Sequence, residues 1–298
     1  MCTALTLHAP EHFFGRNLDL EYTYEETVTI TPRNFPLHFR MAKPLPRHYA
    51  VIGIAYVQDG YPLYYDAANE KGLAIAGLRF PESTVYRAQA VNRTGIAPFE
   101  LIPWLLGQCA SVDEARKLLT ETEIVGLDFS DALPCTPLHW LIADQTKSIV
   151  LESRADGLEI CDDPVGVLTN EPPFPQQMAA LYAAPDCIPG DHSSLSRFQR
   201  AVYIKIRMAA ASGEADMVHR FFHLLDSVSV PCGGLVPTHP DMVTRYSSCC
   251  DLDRAIYYYT TYGNRAIQAV DLYREDPDGA HLISYPLLKE GRPHLQNL

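Results

Sequence analysis

A cysteine stands second in the 298-residue chain, in Met1-Cys2-Thr3. If an aminopeptidase removes Met1, which the small side chain after it permits, residue 2 carries a thiol and a free α-amine together. The thiolate is the reactive form of cysteine, and a free cysteine titrates near about 8.5. An α-amine titrates near about 7.7–8.0. Both groups then exchange protons close to neutral pH, and the residue is a nucleophile carrying its own base, as in amide hydrolases with an N-terminal threonine. Taken alone, Cys2 is equally a small apolar side chain on a first strand, so the chemistry needs partners. Arg16 and Asp19, in Gly15-Arg16-Asn17-Leu18-Asp19, are the first candidates, since they follow a short turn after that strand. A guanidinium near a thiol favours thiolate, and a carboxylate can hold an α-amine in place. Without Cys2 the same two residues read as a surface ion pair worth little.

Composition limits what these residues can serve. With 47% hydrophobic and 20% charged residues, the chain has the make-up of an ordinary globular protein. No Ser/Gly-rich linker, charge block or repeat divides it, so one domain over residues 1–298 is expected. Lys and Arg number 24 against 36 Asp and Glu, a net charge of -12 that argues against nucleic acid or an anionic membrane surface as partner. No apolar run reaches the roughly 18 residues of a membrane span, and no basic-then-apolar leader opens the chain; a cytoplasmic protein is expected. The eight cysteines are expected to be free, buried thiols.

The elements that must position Cys2 begin as a meander. Alternating or β-branched runs at 3–8, 13–17, 27–31, 49–57 and 72–78 read as strands, with 66–71 as a connection. Helices follow at 98–109 and 113–122, the second with Ser111 as N-cap and Glu114 three residues on. Strands return at 138–143 and 148–153, helices at 194–211 and 214–228, and strands close the chain at 244–250, 255–261 and 266–273. Strands, then helices, then strands imply an α+β fold in which helices cover large antiparallel sheets.

Several segments, in chain order, resemble one family. They are Met1-Cys2-Thr3, Phe14-Gly15-Arg16-Asn17-Leu18-Asp19, Pro32-Arg33-Asn34-Phe35, Asn69-Glu70-Lys71-Gly72-Leu73, Leu138-His139-Trp140, Leu168-Thr169-Asn170, Pro189-Gly190-Asp191, Ser196-Arg197-Phe198 and the Tyr-rich 257–262. Together they resemble the choloylglycine hydrolase family, which holds bile salt hydrolases and penicillin V acylases. The resemblance implies a four-layer αββα N-terminal nucleophile hydrolase fold with two stacked, mainly antiparallel sheets, and it implies neither cofactor nor metal. It also implies roles. Cys2 matches the nucleophile, with its α-amine as acid and base; Arg16 and Asp19 match the residues that tune the thiol and orient the amine. Asn170 matches the side-chain amide of the oxyanion hole, and Arg197 the second active-site arginine.

Two departures stand out. Arg79, in Leu78-Arg79-Phe80-Pro81, occupies a position that is usually Asn or Tyr in the family, so either its guanidinium or only its backbone N–H serves the oxyanion. The span from Asn170 to Arg197 lacks a Gly-rich insertion that helps relatives form tetramers, although a homo-oligomer, tetramer or dimer, remains the expectation. Leu20, Tyr22, Tyr61, Tyr64, Tyr65, Phe129 and Leu133 match segments around the family's pocket, which suits a steroid or aryl acyl group.

Conjugated bile salts are the expected substrates, since the start at Met-Cys and the Tyr-rich closing strands look closest to the gut-bacterial bile salt hydrolases. Penicillin V or an acyl-homoserine lactone is the alternative, and a non-catalytic bile acid or lipid binding protein on the same fold is the non-enzyme alternative. His219 and His223 lie one helical turn apart, but no Glu stands between them as in the zinc protease motif and no third ligand is evident, so they read as part of a packing helix.

Overall fold

Residues 1–8, 11–208, 213–233, 239–293 and 295–297 are described by a computed structural model. Six strands form the first sheet: β1 (Cys2–His8), β2 (His12–Leu20), β12 (Val167–Leu168), β13 (Val243–Asp251), β14 (Ile256–Thr261) and β15 (Gln268–Asp271). Eight form the second: β3 (Thr27–Thr31), β4 (Val51–Gln58), β5 (Tyr61–Asn69), β6 (Ala74–Arg79), β9 (Leu138–Ala143), β10 (Ser148–Arg154), β11 (Gly157–Asp163) and β16 (Ile283–Pro286). A short parallel pair, β7 (Thr94–Ile96) and β8 (Thr122–Ile124), lies apart. The helices are α1 (Leu101–Gln108), α2 (Val112–Thr120), α3 (Phe174–Ala183), α4 (Ser194–Arg207) and α5 (Glu214–Asp226).

The first sheet runs β12-β1-β2-β13-β14-β15 and the second β11-β10-β9-β6-β5-β4-β3-β16, and every pairing within both is antiparallel. The sheets meet through β1 and β2 on one side and β6 and β9 on the other. Helices α4 and α5 cover the outer face of the first sheet, and α1 covers that of the second. This is the expected αββα stack. Strands β1 and β2 are buried on both faces because each lies between a helix layer and another sheet, so β1 is almost all apolar or small while β2 carries Arg16, Asn17 and Asp19 into the interior. One apolar cluster joins Leu5, Phe14, Phe198 and Phe221 between helices and sheets; a second joins Ile75, Leu105 and Ile149 beneath α1.

Some expectations need correction. Residues 66–71 are not one connection: β5 runs on to Asn69, and the turn is tightened by the Asn69 side chain, whose Oδ1 accepts from the N–H groups of Lys71 and Leu73. Asp66 and Asn69 looked like loop residues because they are polar, yet both are buried and bonded inside the fold. Helix α3 and strands β7, β8, β11, β12 and β16 have too little periodicity, or too few residues, to show in sequence. Ser111 caps α2 as expected, accepting from Glu114 N–H. The C-terminal limit set for α4, residue 211, lies outside the described residues.

All eight cysteines are unpaired. Cys2, Cys109, Cys249 and Cys250 are buried, whereas Cys135 and Cys161 are half-buried and Cys187 and Cys232 exposed. The expectation of burial fails for these four because Cys161 lies on the edge strand β11 and the others lie in connections. Among the described residues no helix is long and apolar enough to cross a membrane.

Candidate active site

The β1–β2 hairpin places the first three residues. Its register pairs Cys2 with Leu18 and Ala4 with Arg16, so Cys2 and Arg16 share one face. Thr3, Asn17 and Asp19 take the other. Arg16 therefore points at the second sheet, and it is fully buried there. Its Nη1 donates to the carbonyls of Tyr65 at 3.0 Å and Gly77 at 2.6 Å, bridging β5 and β6 where the two strands part. The β5–β6 pairing ends at Asp66 and Ala76, beside a β-bulge in the β4–β5 ladder where Ile54 pairs with Asp66 and Ala55 with Tyr64 and Tyr65 is left without a partner on β4.

Asp66 lies beneath Arg16 and takes hydrogen bonds from Tyr246 Oη at 2.6 Å, Ser248 Oγ at 2.9 Å and Tyr257 Oη. Ser248 Oγ also accepts from the Arg16 N–H at 3.1 Å, so one hydroxyl ties the arginine's backbone to the carboxyl. Burial lifts the Asp66 pKa above the ordinary carboxylate range against the pull of Arg16 and these donors. Burial also works against the Arg16 cation, but Cys2, Tyr246, Asp66 and Asp19 around it outweigh that and raise its pKa. Arg16 is thus held charged.

The other face and the strand end serve the Cys2 nitrogen. Cys2 N–H donates to Asn170 Oδ1 at 2.8 Å, and Arg197 Nη2 donates to the same oxygen at 2.7 Å. Arg197, from the first turn of α4, also donates through Nη1 to the Cys2 carbonyl and to Thr3 Oγ1 at 2.7 Å. Asp19 Oδ1 accepts from Thr244 Oγ1 at 2.6 Å. Asp19 Oδ2 and Arg16 Nη2 are buried with no hydrogen-bond partner among the described residues. Two such orphans, each costing about 1–3 kcal/mol, belong to the charged groups that act on Cys2 and on the Met1 amine beside it. Met1 prolongs β1: its amine donates to the Asp19 carbonyl at 2.9 Å, and burial lowers its pKa against the pull of Cys2 and Asp19. Burial likewise lowers the Arg197 pKa, opposed by Asp19 and Cys2.

Arg79 joins this group through its backbone alone. Its side chain is exposed, whereas its carbonyl accepts from Asn170 Nδ2 at 2.8 Å. The alternation of β6 turns Leu78 and Phe80 inward and sends the guanidinium outward. Leu138 N–H, opposite Arg79, donates to Tyr86 Oη at 2.7 Å, so this is a pair whose backbone groups face away from each other. The Arg79 backbone then faces Asn170.

A cavity of about 260 Å³ opens beside Arg16, with Tyr65 and Gly77 in its wall. Tyr22, Tyr64, Tyr65, Phe129 and Leu133 line it as expected. Leu20 and Tyr61 do not. Leu20 packs half-buried against the core of the sheets, and Tyr61 lies behind the lining, with Phe99 and Phe129 each 6.1 Å from its ring. Tyr24, Tyr56, Phe99, Leu138 and Trp140 were missed. Leu138 and Trp140 could have been found, because they alternate on one strand; Tyr24, Tyr56 and Phe99 reach the cavity only through packing.

A sequence model of the linear amide C–N hydrolases, choloylglycine hydrolase family, matches residues 2–186 and 184–285. The chain is 45% identical, over a 324-residue alignment covering all of both proteins, to a bile salt hydrolase/transferase of Lactiplantibacillus plantarum. It is 34% identical to a bile salt hydrolase/transferase of Clostridium perfringens, over 96% of each chain. A crystal structure of a variant of the conjugated bile acid hydrolase from Clostridium perfringens superposes with a TM-score of 0.92 at 33% identity, covering 99% of this chain and 100% of that one. Penicillin V acylase from Agrobacterium tumefaciens shares the fold, with a TM-score of 0.81 at 20% identity over 95% of this chain and 90% of its own.

Proposed function

The chain belongs to the choloylglycine hydrolase family of linear amide C–N hydrolases, and from that premise we propose that it hydrolyses glycine- or taurine-conjugated bile salts with Cys2 as nucleophile. The observation that carries the reading is the division of labour around Cys2. Its side chain shares a face with Arg16 beside an aromatic cavity, while its nitrogen is met by Asn170 and approached by Asp19 and Arg197. In this reading removal of Met1 frees the α-amine, whose protons go to Asp19 Oδ2 and Asn170 Oδ1.

The thiol gives its proton to that amine, and the thiolate, favoured by Arg16, attacks the amide carbonyl carbon. The carbonyl oxygen gains the negative charge. One N–H of Asn170 Nδ2 is bound to Arg79 O; the second, with the Arg79 backbone N–H, meets the oxyanion. The Cys2 ammonium returns the proton to the leaving nitrogen, the C–N bond breaks, and glycine or taurine departs from a thioester. A water, deprotonated by the same amine, attacks the thioester, releasing the bile acid carboxylate and restoring the thiol.

Amine release from glycocholate, taurocholate and penicillin V by Met1-free protein tests this. Release from the bile conjugates above that from penicillin V is expected; no release from any of them overturns the enzyme reading. Penicillin V has its own arm because a cavity of about 260 Å³ lies below the usual range of about 300–1,000 Å³, so an aryl group fits inside it whereas a steroid extends through its mouth. We read residues 1–298 as one catalytic unit acting in the cytoplasm of a bacterium as a homo-oligomer. The exposed apolar side chains Tyr182, Ile188 and Ile206 offer surface for copies of the chain, and sedimentation velocity tests it: a monomer at micromolar concentration ends that part.

A further inference from the structure

His139 takes no part in the chemistry above, yet it is fully buried on β9 with two hydrogen-bonded ring nitrogens. Its Nε2 lies 2.7 Å from the carbonyl oxygen of Thr169, the residue before Asn170. Its Nδ1 lies 3.2 Å from Glu152 Oε1, on the neighbouring strand β10 where His139 and Glu152 are paired in register. Glu152 is fully buried too, and its Oε1 also accepts from Phe174 N–H, at the start of α3, at 2.9 Å. Phe80, which follows Arg79, stacks on the imidazole with ring centroids 4.1 Å apart and planes 7° from parallel.

The proton count follows from these contacts. A carbonyl oxygen only accepts, so Nε2 must carry a proton for Thr169. Glu152 Oε1, 3.2 Å from Nδ1, also accepts from Phe174 N–H, so one further proton lies between Nδ1 and the carboxyl group. With that shared proton the pair is neutral in sum, and Arg154 Nη1 lies 3.8 Å from Glu152 Oε2. One ring thereby touches both segments that face the reacting carbonyl: Thr169-Asn170 through a hydrogen bond and Arg79-Phe80 through stacking.

We propose that the buried Glu152–His139 pair is a positioning device that sets Asn170 Nδ2 and the Arg79 backbone at the distance the oxyanion requires. It rests on the reading of Asn170 as an oxyanion donor given above. His139 is a positioning residue, since it acts on the substrate only through these two segments.

His139→Gln and Glu152→Gln test it in Met1-free protein. For His139→Gln the expected result is a kcat about 10²-fold lower, the scale of a lost oxyanion donor, with KM and the rate of Cys2 alkylation by iodoacetamide each within about threefold of the unaltered enzyme. Alkylation is a displacement at a saturated carbon and uses no oxyanion donor, so a general loosening would slow both reactions alike. Equal losses in alkylation and hydrolysis, or a kcat within about threefold, overturn the proposal. If His139→Gln does not fold, Glu152→Gln carries the test, with a kcat about tenfold lower expected and an unchanged kcat overturning it. A readout without substrate separates this from the bile salt reading. Proton NMR of the unaltered protein in water is expected to show two downfield signals, the His139 Nε2–H and the proton shared between Nδ1 and Glu152, both absent in His139→Gln, and their absence from the unaltered protein overturns the pair whatever the substrate. Should bile conjugates fail and penicillin V be cleaved, the same ratios are read on penicillin V.

Discussion

The two walls of the site are built on different principles. The nucleophile wall consists of charged and amide side chains almost wholly removed from water: Arg16, Asp19 and Arg197 are fully buried, and nearly every polar atom has a named partner. It is carried by the paired strands β1 and β2, by the short edge strand β12 and by the first turn of α4. The acyl wall is aromatic, comes partly from connections such as 127–136, and has few directional bonds. Burying an unpartnered charge is costly, so the first wall tolerates one arrangement; apolar contact is non-directional, so the second can change shape and still bind. In the proposed reading the catalytic apparatus belongs to the framework, and the choice of substrate belongs to the loops.

Changes on the nucleophile wall should therefore act on kcat, and changes on the acyl wall on KM. Cys2→Ser, or retention of Met1 on the folded protein, is expected to lower kcat by about 10³-fold or more, read by stopped release of glycine or taurine. Full activity with Met1 shown by mass spectrometry would break the division at its centre. Asn170→Ala follows, with a loss of about 10²–10³-fold in kcat at little change in KM. Phe129→Ala should do the reverse, raising KM about tenfold with kcat nearly kept. An equal fall in kcat would show that the aromatic wall also orients the carbonyl.

Smaller effects sharpen the boundary. Arg79→Ala should leave kcat and KM within about threefold, because only the backbone of residue 79 faces the site; a large loss would restore the guanidinium to the oxyanion hole. Asp191→Asn should be the weakest change. Hydrogen bonds from Ser193 and Ser196, at the start of the helix carrying Arg197, hold the Asp191 pKa down to about 2. A carboxyl lowered on folding contributes stability above its ordinary value of about 3.9, and that stability is lost as pH falls through the folded value. The difference in Tm between the two proteins should thus be present at about pH 6 and vanish toward about pH 2; exposure of Asp191 keeps it small.

The walls also differ in how far they could be read from sequence. Cys2, Arg16 and Asp19 lie on one hairpin, and the two-residue period of a strand is enough to place the thiol and guanidinium on one face. Asn170 and Arg197 were assigned through a resemblance, and no local pattern marks them. Arg79 was the reverse case: its side chain drew attention although alternation between Leu78 and Phe80 already turned it outward. Leu20 and Tyr61 were misplaced because an aromatic or apolar residue near a pocket has the same sequence signature whether it lines the cavity or supports the lining.

By itself the sequence determined the α+β layering through local periodicity, and it pointed to Cys2 with its hairpin partners Arg16 and Asp19 through residue chemistry and a family resemblance. Tertiary structure alone decided that Asn170 meets Cys2 across 168 positions of chain, that Tyr65 at a bulge offers its carbonyl to Arg16, and that Asp66, read as part of a connection, is a buried carboxyl on β5 while His139 is buried against Glu152. The reason is physical. Whether a polar group is satisfied depends on partners brought by distant strands and helices, and those partners exist only once the two sheets have packed.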